Sequence, residues 1–192
     1  MKNDIVNIIF GDSIAYGLGD DKHFGWFNRL RIKNDLKLKQ FYFNLSIPGQ
    51  GSTEILKRFD TEFKARFNNE DKFNLIFAFG IKDALKLGSD KEYIKVFEPN
   101  VISLISLAKK YTTNIFFLGL MDVDIALRNE YSENDIKQIN VLLEKVCQKN
   151  DVAFINMSGI VNKNDLFDGL HPNEVGHKKI SDYIYDSIFK GR

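Results

Sequence analysis

Five short apolar runs, none of them alternating apolar with polar residues, limit most sharply what this chain can fold into. They occupy residues 5–10, 41–45, 75–79, 114–118 and 152–156. A strand with one face in water alternates; a continuous run is expected to be buried on both faces, as in a parallel sheet. Stretches with apolar residues at helical spacing separate the runs. The first is residues 26–36, with Phe27 and Leu30. The second follows Ser52-Thr53 and carries Ile55, Leu56, Phe59, Phe63 and Phe67. A long one starts at Tyr93 and includes Val96, Val101, Leu104, Ile105 and Ala108; Pro99 is expected to bend or restart it. Ile136, Ile139, Leu142, Leu143 and Val146 mark the fourth. Val175, Ile180, Ile184 and Ile188 mark the last, from Asn173 to Phe189. Parallel neighbours require crossover helices, so the pattern predicts an α/β fold: a three-layer α/β/α sandwich around a five-stranded parallel sheet. No repeat or composition break divides the 192 residues, and a single domain over 1–192 is expected.

Charge and cysteine content narrow the function. Twenty-seven Lys+Arg against 26 Asp+Glu leave a net charge of +1, without the basic excess a nucleic-acid partner calls for. Lys109-Lys110 and Lys178-Lys179 read as solvated helix faces. Cys147 is the single cysteine and lies in an apolar-periodic stretch, which excludes an intrachain disulfide and a cysteine-rich metal site and points to an inert core thiol. No segment approaches the ~18 apolar residues of a membrane span, and the opening run is too short for a signal peptide. A cytoplasmic protein without a membrane span is expected; the oligomeric state is left open.

The chemistry collects in loops. The first run stops at Gly11-Asp12-Ser13, and open α/β sheets bind ligands beyond the carboxyl ends of their strands. Three further polar loops fall on the same edge: Asn44 to Thr53, Gly80-Ile81-Lys82-Asp83, and Asp165 to Pro172. A serine hydroxyl needs a base to take its proton as it attacks. In the last loop Asp168 and His171 are three residues apart, with Gly169 permitting a turn and Pro172 fixing the chain after the histidine. Asp168 can then reach Nδ1 while Nε2 faces outward, making Ser13 a nucleophile and His171 its base. The backbone N–H groups of Ser13 and Gly49 are the expected oxyanion donors. Ordinary turn chemistry remains an alternative: Ser13 as a helix cap, Asp168 as a turn residue, His171 as a histidine packed on the last helix. Of the other histidines, His177 is expected at the surface beside Lys178, and His23 lies in a flexible-looking loop. Asp168 and His171 lack a third partner at ligand spacing, so neither a metal nor a cofactor is expected.

These blocks resemble those of the SGNH hydrolases, also called the GDSL esterase/lipase family. Ile9-Phe10-Gly11-Asp12-Ser13 is similar to the first block, Asn44-Leu45-Ser46-Ile47-Pro48-Gly49 to the second, and Asp168-Gly169-Leu170-His171-Pro172-Asn173 with Gly176-His177 to the last. The resemblance runs in the family's order from residue 5 to about 189. It implies a flavodoxin-like fold, ester hydrolysis, Ser13 as nucleophile, Asp168 and His171 as its partners, and Gly49 as an oxyanion donor. In the third block Lys82 stands where the family has asparagine, while Asp83 matches. Lys82 is therefore the expected third donor, pointing into the cleft between Gly49 and Ser13. The sequence thus predicts a serine esterase acting on a small or medium acyl ester through an acyl-enzyme. The alternative is a weakly active or inactive binding protein that holds an anion near Lys82. The pocket walls are expected from Tyr16 to Trp26, Ala84 to Tyr93 and Met121 to Tyr131.

Overall fold

The computed structural model describes residues 4–34, 40–85 and 92–190. Five strands form one parallel sheet in the order β2-β1-β3-β4-β5: β1 Ile5–Gly11, β2 Gln40–Asn44, β3 Lys72–Ala78, β4 Ile115–Leu118 and β5 Ala153–Ile155. Among the described residues six α-helices accompany them: α1 Ser13–Tyr16, α2 Gly25–Asn34, α3 Ser52–Lys64, α4 Glu92–Ala108, α5 Glu133–Lys149 and α6 Glu174–Ile184. The expected architecture is the one found.

Successive residues of a strand point to opposite faces, and the apolar runs supply both. On one face Val6, Ile8 and Phe10, Leu75 and Phe77, and Ile115 and Phe117 meet Ile55, Phe59 and Phe63 of α3, Val101 and Leu104 of α4, and Ile139 and Leu143 of α5. Phe77 and Phe117 stack with ring centroids 4.6 Å apart. On the other face Ile9, Ile76, Phe116 and Leu118 meet Trp26, Phe27 and Leu30 of α2 and Ile180 and Ile184 of α6. Cys147 is buried in the first core, and burial pushes its thiol up to about 12, consistent with an inert role. The one polar residue buried inside β1, Asn7, donates to Gln40 Oε1 at 2.8 Å and accepts from Asn74 Nδ2 at 2.9 Å. Its polarity is thereby satisfied.

Several local expectations are refined. The fourth helix runs through Pro99 without restarting. Proline removes the N–H that would reach the carbonyl of Lys95, but both residues are exposed, where water can serve that carbonyl. Val175 is exposed although its helical neighbours Ile180 and Ile184 are buried. The final helix ends in a wider π-helical turn, Tyr185–Phe189. Residues 35–36 of the first expected helix, and 86–91 of the expected pocket wall, lie outside the described residues.

β1 has β2 on one side and β3 on the other, so the chain leaves β1 and β3 in opposite directions across the sheet. The crevice at their carboxyl ends is the topological switch point, where such sheets take their ligands.

Candidate active site

β1 turns into α1 at a position that only glycine can occupy. A Cβ on Gly11 would lie 2.4 Å from Ala15 Cβ and 2.7 Å from the Ala78 carbonyl oxygen. Asp12, rather than Ser13, is the N-cap: its carboxylate accepts from the Ile14 N–H at 3.0 Å. Burial raises the Asp12 carboxyl to about 7, against the pull of the backbone N–H groups it accepts from. Ser13 is thus the first residue of α1, where its own N–H has no intrahelical acceptor.

Pro48 and Gly49 occupy the corners of a turn closed by the Gln50 N–H donating to the Ile47 carbonyl at 3.3 Å. Gly49 has φ +77, the left-handed value that the third residue of such a turn requires. Beyond its chain neighbours, no atom lies within 4 Å of the place its Cβ would take. The Ile47 N–H donates to the Gly11 carbonyl at 3.0 Å, fastening this turn to the end of β1. Asn44 donates to the Ala15 carbonyl at 2.9 Å and fastens it to α1 as well.

Asp83 joins the third loop to the second. Its carboxylate accepts from Ser52 Oγ at 2.6 Å and from the Ser52 N–H at 3.0 Å, at the start of α3. Burial raises its carboxyl to about 6 despite those bonds. Lys82 forms an ion pair that its place in the third block did not suggest. Its ammonium lies 2.6 Å from Glu54 Oε1, and the other oxygen of Glu54 accepts from the Gly51 N–H at 2.9 Å. Burial alone would raise the Glu54 carboxyl, but the bonds from Lys82 and Gly51 hold it below its ordinary value. A lysine stem is long and flexible enough to reach a carboxylate on the next element, which the shorter asparagine is not. The lysine charge is therefore paired with Glu54 at the foot of α3.

The last loop folds back on itself. Leu166 and Pro172 bridge in antiparallel fashion, and the Phe167 N–H donates to the His171 carbonyl at 2.7 Å. Between them Gly169 takes φ +83. Asp168 Oδ1 accepts from the N–H groups of Leu170 and His171 at 3.1 and 2.8 Å. Asp168 Oδ2 lies 2.9 Å from His171 Nδ1, and His171 Nε2 lies 2.9 Å from Ser13 Oγ. Partial burial pushes the Asp168 carboxyl upward, but the bonds from His171 and Leu170 outweigh it and hold the group at about 2. An ionised Asp168 can only accept, so it assigns the proton to Nδ1 and leaves the Nε2 lone pair facing the serine hydroxyl.

A second group of residues, not foreseen from sequence, holds this histidine from behind. His177 is fully buried, not at the surface, and lies 2.9 Å through Nε2 from the Leu18 carbonyl. Burial holds its imidazole below the ordinary histidine value, which favours the neutral donor that bond needs. The segment it anchors packs on the last loop: a Cβ on Gly19 would lie 2.4 Å from the Pro172 carbonyl oxygen and 3.0 Å from His171 Cβ. Asp20, buried and bonded to Arg29 and to the Gly25 N–H, closes the same segment. In sequence these residues offer only a Gly-His pair and scattered charges.

A groove of about 610 Å³ runs beside the site, lined by Tyr16, Leu18, Asp21, His23, Asn44 and Phe167 among others. Tyr16 and Phe167 are exposed along it. Of the expected walls, 16–26 contributes to this groove, and Met121 and Val123 line a smaller apolar cavity of about 40 Å³ against Asp12 and Leu170. Among the described residues no group of three or more His, Cys, Asp or Glu side chains could hold a metal ion. None of their helices is long and apolar enough to cross a membrane.

The model of the GDSL-like Lipase/Acylhydrolase family matches residues 9–179. Among solved structures, the lipase/acylhydrolase from Enterococcus faecalis superposes with a TM-score of 0.78 at 19% identity, covering 95% of this chain and 94% of that one. The psychrotrophic esterase EstA from Pseudoalteromonas sp. gives 0.76 at 20% identity, covering 96% and 97%. A lipolytic protein of the G-D-S-L family from Veillonella parvula gives 0.79 at 16% identity, covering 98% and 100%. At such identities these likenesses are ones of fold. No curated protein sequence matches the chain.

Proposed function

The chain belongs to the GDSL-like lipase/acylhydrolase family and is a carboxylic ester hydrolase, and we propose that it cleaves a small or medium acyl ester through a Ser13–His171–Asp168 triad. One observation carries the reading: an unbroken line of contacts from Asp168 Oδ2 to His171 Nδ1 and from His171 Nε2 to Ser13 Oγ, 2.9 Å each. In the proposed reaction Ser13 Oγ attacks the ester carbonyl as its proton passes to His171 Nε2. Asp168, already ionised, stabilises the imidazolium without taking a proton. The N–H groups of Ser13 and Gly49 meet the oxyanion. His171 returns its proton to the departing alcohol, then activates the water that releases the acyl group from Ser13. One domain spanning 1–192 carries this site.

The experiment is release of p-nitrophenol from acetyl, butyryl and longer p-nitrophenyl esters by the purified protein. Turnover of the short members is expected; no turnover of any member overturns the reading.

Lys82 has a smaller part than its place in the third block implied. With its ammonium held by Glu54, Lys82→Ala is expected to lower kcat/KM by less than tenfold. Loss of a direct oxyanion donor costs about 10²–10³-fold in kcat. A hundredfold drop, restored by Lys82→Asn, would return Lys82 to the oxyanion site.

A further inference from the structure

We propose that Arg128 is a positioning residue of the Asp168–His171 pair, fixing the carboxylate and placing a positive charge beside the oxygen that faces the imidazole. The proposal rests on the serine mechanism assigned to Ser13.

Arg128 belongs to the irregular segment between β4 and α5, far in sequence from the residues it serves. Its Nη1 lies 3.5 Å from Asp168 Oδ2, the same oxygen that faces His171 Nδ1. Asp168 Oδ1 is already taken by two backbone N–H groups, so Arg128 and His171 share the remaining oxygen. On its other side the guanidinium Nε, buried and without a hydrogen bond, lies 3.0 Å from Glu130 Oε1 as an ion pair. The segment is clamped to the triad loop by the Asp124 N–H, which donates to the Gly169 carbonyl at 2.8 Å, while the Arg128 N–H donates to the Asp124 carbonyl at 2.9 Å. Lys163 pairs with the Asp124 carboxylate at 3.0 Å. The contact is close: a Cβ on Gly169 would lie 2.9 Å from Leu127 Cβ and 3.1 Å from Arg128 Cγ. Packing of Gly169 against Arg128 and the backbone bond to Asp124 place the guanidinium between two carboxylates, which its planar fork can face at once.

A cation beside Asp168 opposes what Asp168 does for the imidazolium. His171 faces Asp168 from its own loop, Ser13 from α1 and His177 from α6, while from the β4–α5 segment Arg128 meets it through Asp168, with Glu130 and Tyr131 beside Arg128. Behind it, Asp20 with Arg29 and Lys22 with Glu174 form internally paired charges. Arg128 and Glu130 are thus opposed charges on one segment, and removing either must move the histidine in opposite directions.

The test is the pH profile of kcat/KM with p-nitrophenyl acetate, paired with the pH dependence of fluorophosphonate labelling. Arg128→Gln is expected to move the acid limb up by about half a pH unit, since the imidazolium loses a nearby like charge. Glu130→Gln is expected to move it down. Arg128→Lys should return the limb to its wild-type position while kcat stays several-fold low, because a point charge cannot hold both carboxylates. Limbs that stay fixed in both Gln variants, or move the same way, overturn the proposal even if activity falls. Should Arg128→Gln fold poorly, Glu130→Gln decides alone: an unmoved limb rejects the role. These outcomes are separable from failure of the serine mechanism, which would show as turnover that persists in Ser13→Ala.

Discussion

Replacing Ser13 with alanine is expected to lower kcat/KM for p-nitrophenyl acetate by about 10⁶-fold, the size of loss seen when a serine nucleophile is deleted from a working triad. The expectation follows from what Ser13 does and does not hold. Its hydroxyl contacts His171 Nε2, while the turn into α1 is held by Gly11, by the Asp12 cap and by the left-handed Gly17. Alanine keeps the backbone N–H proposed to meet the oxyanion and has a helix propensity at least as good. The melting temperature is therefore expected to stay close to that of the wild type. Thermal unfolding beside steady-state kinetics separates loss of the nucleophile from loss of the fold. Retained turnover in protein free of contaminating esterase would reject Ser13 as nucleophile.

Asp168→Asn is expected to cost about 10⁴-fold in kcat with KM little changed. The reason is a proton in the wrong place. Oδ1 of residue 168 accepts two backbone N–H groups, so an asparagine keeps its carbonyl oxygen there and turns its amide toward His171. The amide donates, Nδ1 must accept, and the histidine proton moves to Nε2, where it blocks transfer from Ser13. The same substitution has a signature in stability. Asp168 sits at about 2 when folded, below its ordinary value, so its carboxylate stabilises the fold above about pH 4 and loses that contribution as pH falls toward 2. The stability gap between wild type and Asp168→Asn is expected to be present at pH 6 and to close in that acid window. Kinetics at neutral pH and melting curves down the acid limb read the two effects separately.

The sheet could be read from sequence because a doubly buried strand is apolar at nearly every position, Asn7 being the exception in β1. Ile8, Ile9, Leu75, Ile76 and Phe117 must all be apolar, and a run stopped by a glycine marks the strand end. The candidate residues Ser13, Asp168, His171 and Gly49 could be singled out because each sits in a turn whose chemistry is local: a cap, a three-residue carboxylate-to-imidazole reach, a Pro-Gly corner. The supporting residues were not, because their partners lie far along the chain. His177 beside Lys178 and Lys179 reads as surface, and only the position of Leu18 against α6 makes it a buried donor. Arg128 reads as one charge in an irregular stretch until Gly169 is packed on it. Lys82 was placed by its position in the block, but a flexible side chain goes where the nearest opposite charge is, and Glu54 was invisible as that partner.

The most direct measurement on the triad is covalent labelling with a fluorophosphonate followed by peptide mapping. Such a probe reacts with a serine only where a base takes its proton and an oxyanion site accepts the phosphonyl oxygen, so it reads nucleophile, base and donors together. One equivalent on Ser13 is expected, abolished in Ser13→Ala and strongly slowed in Asp168→Asn. Labelling at another residue, or none at Ser13 in folded protein that still hydrolyses esters, would contradict the account.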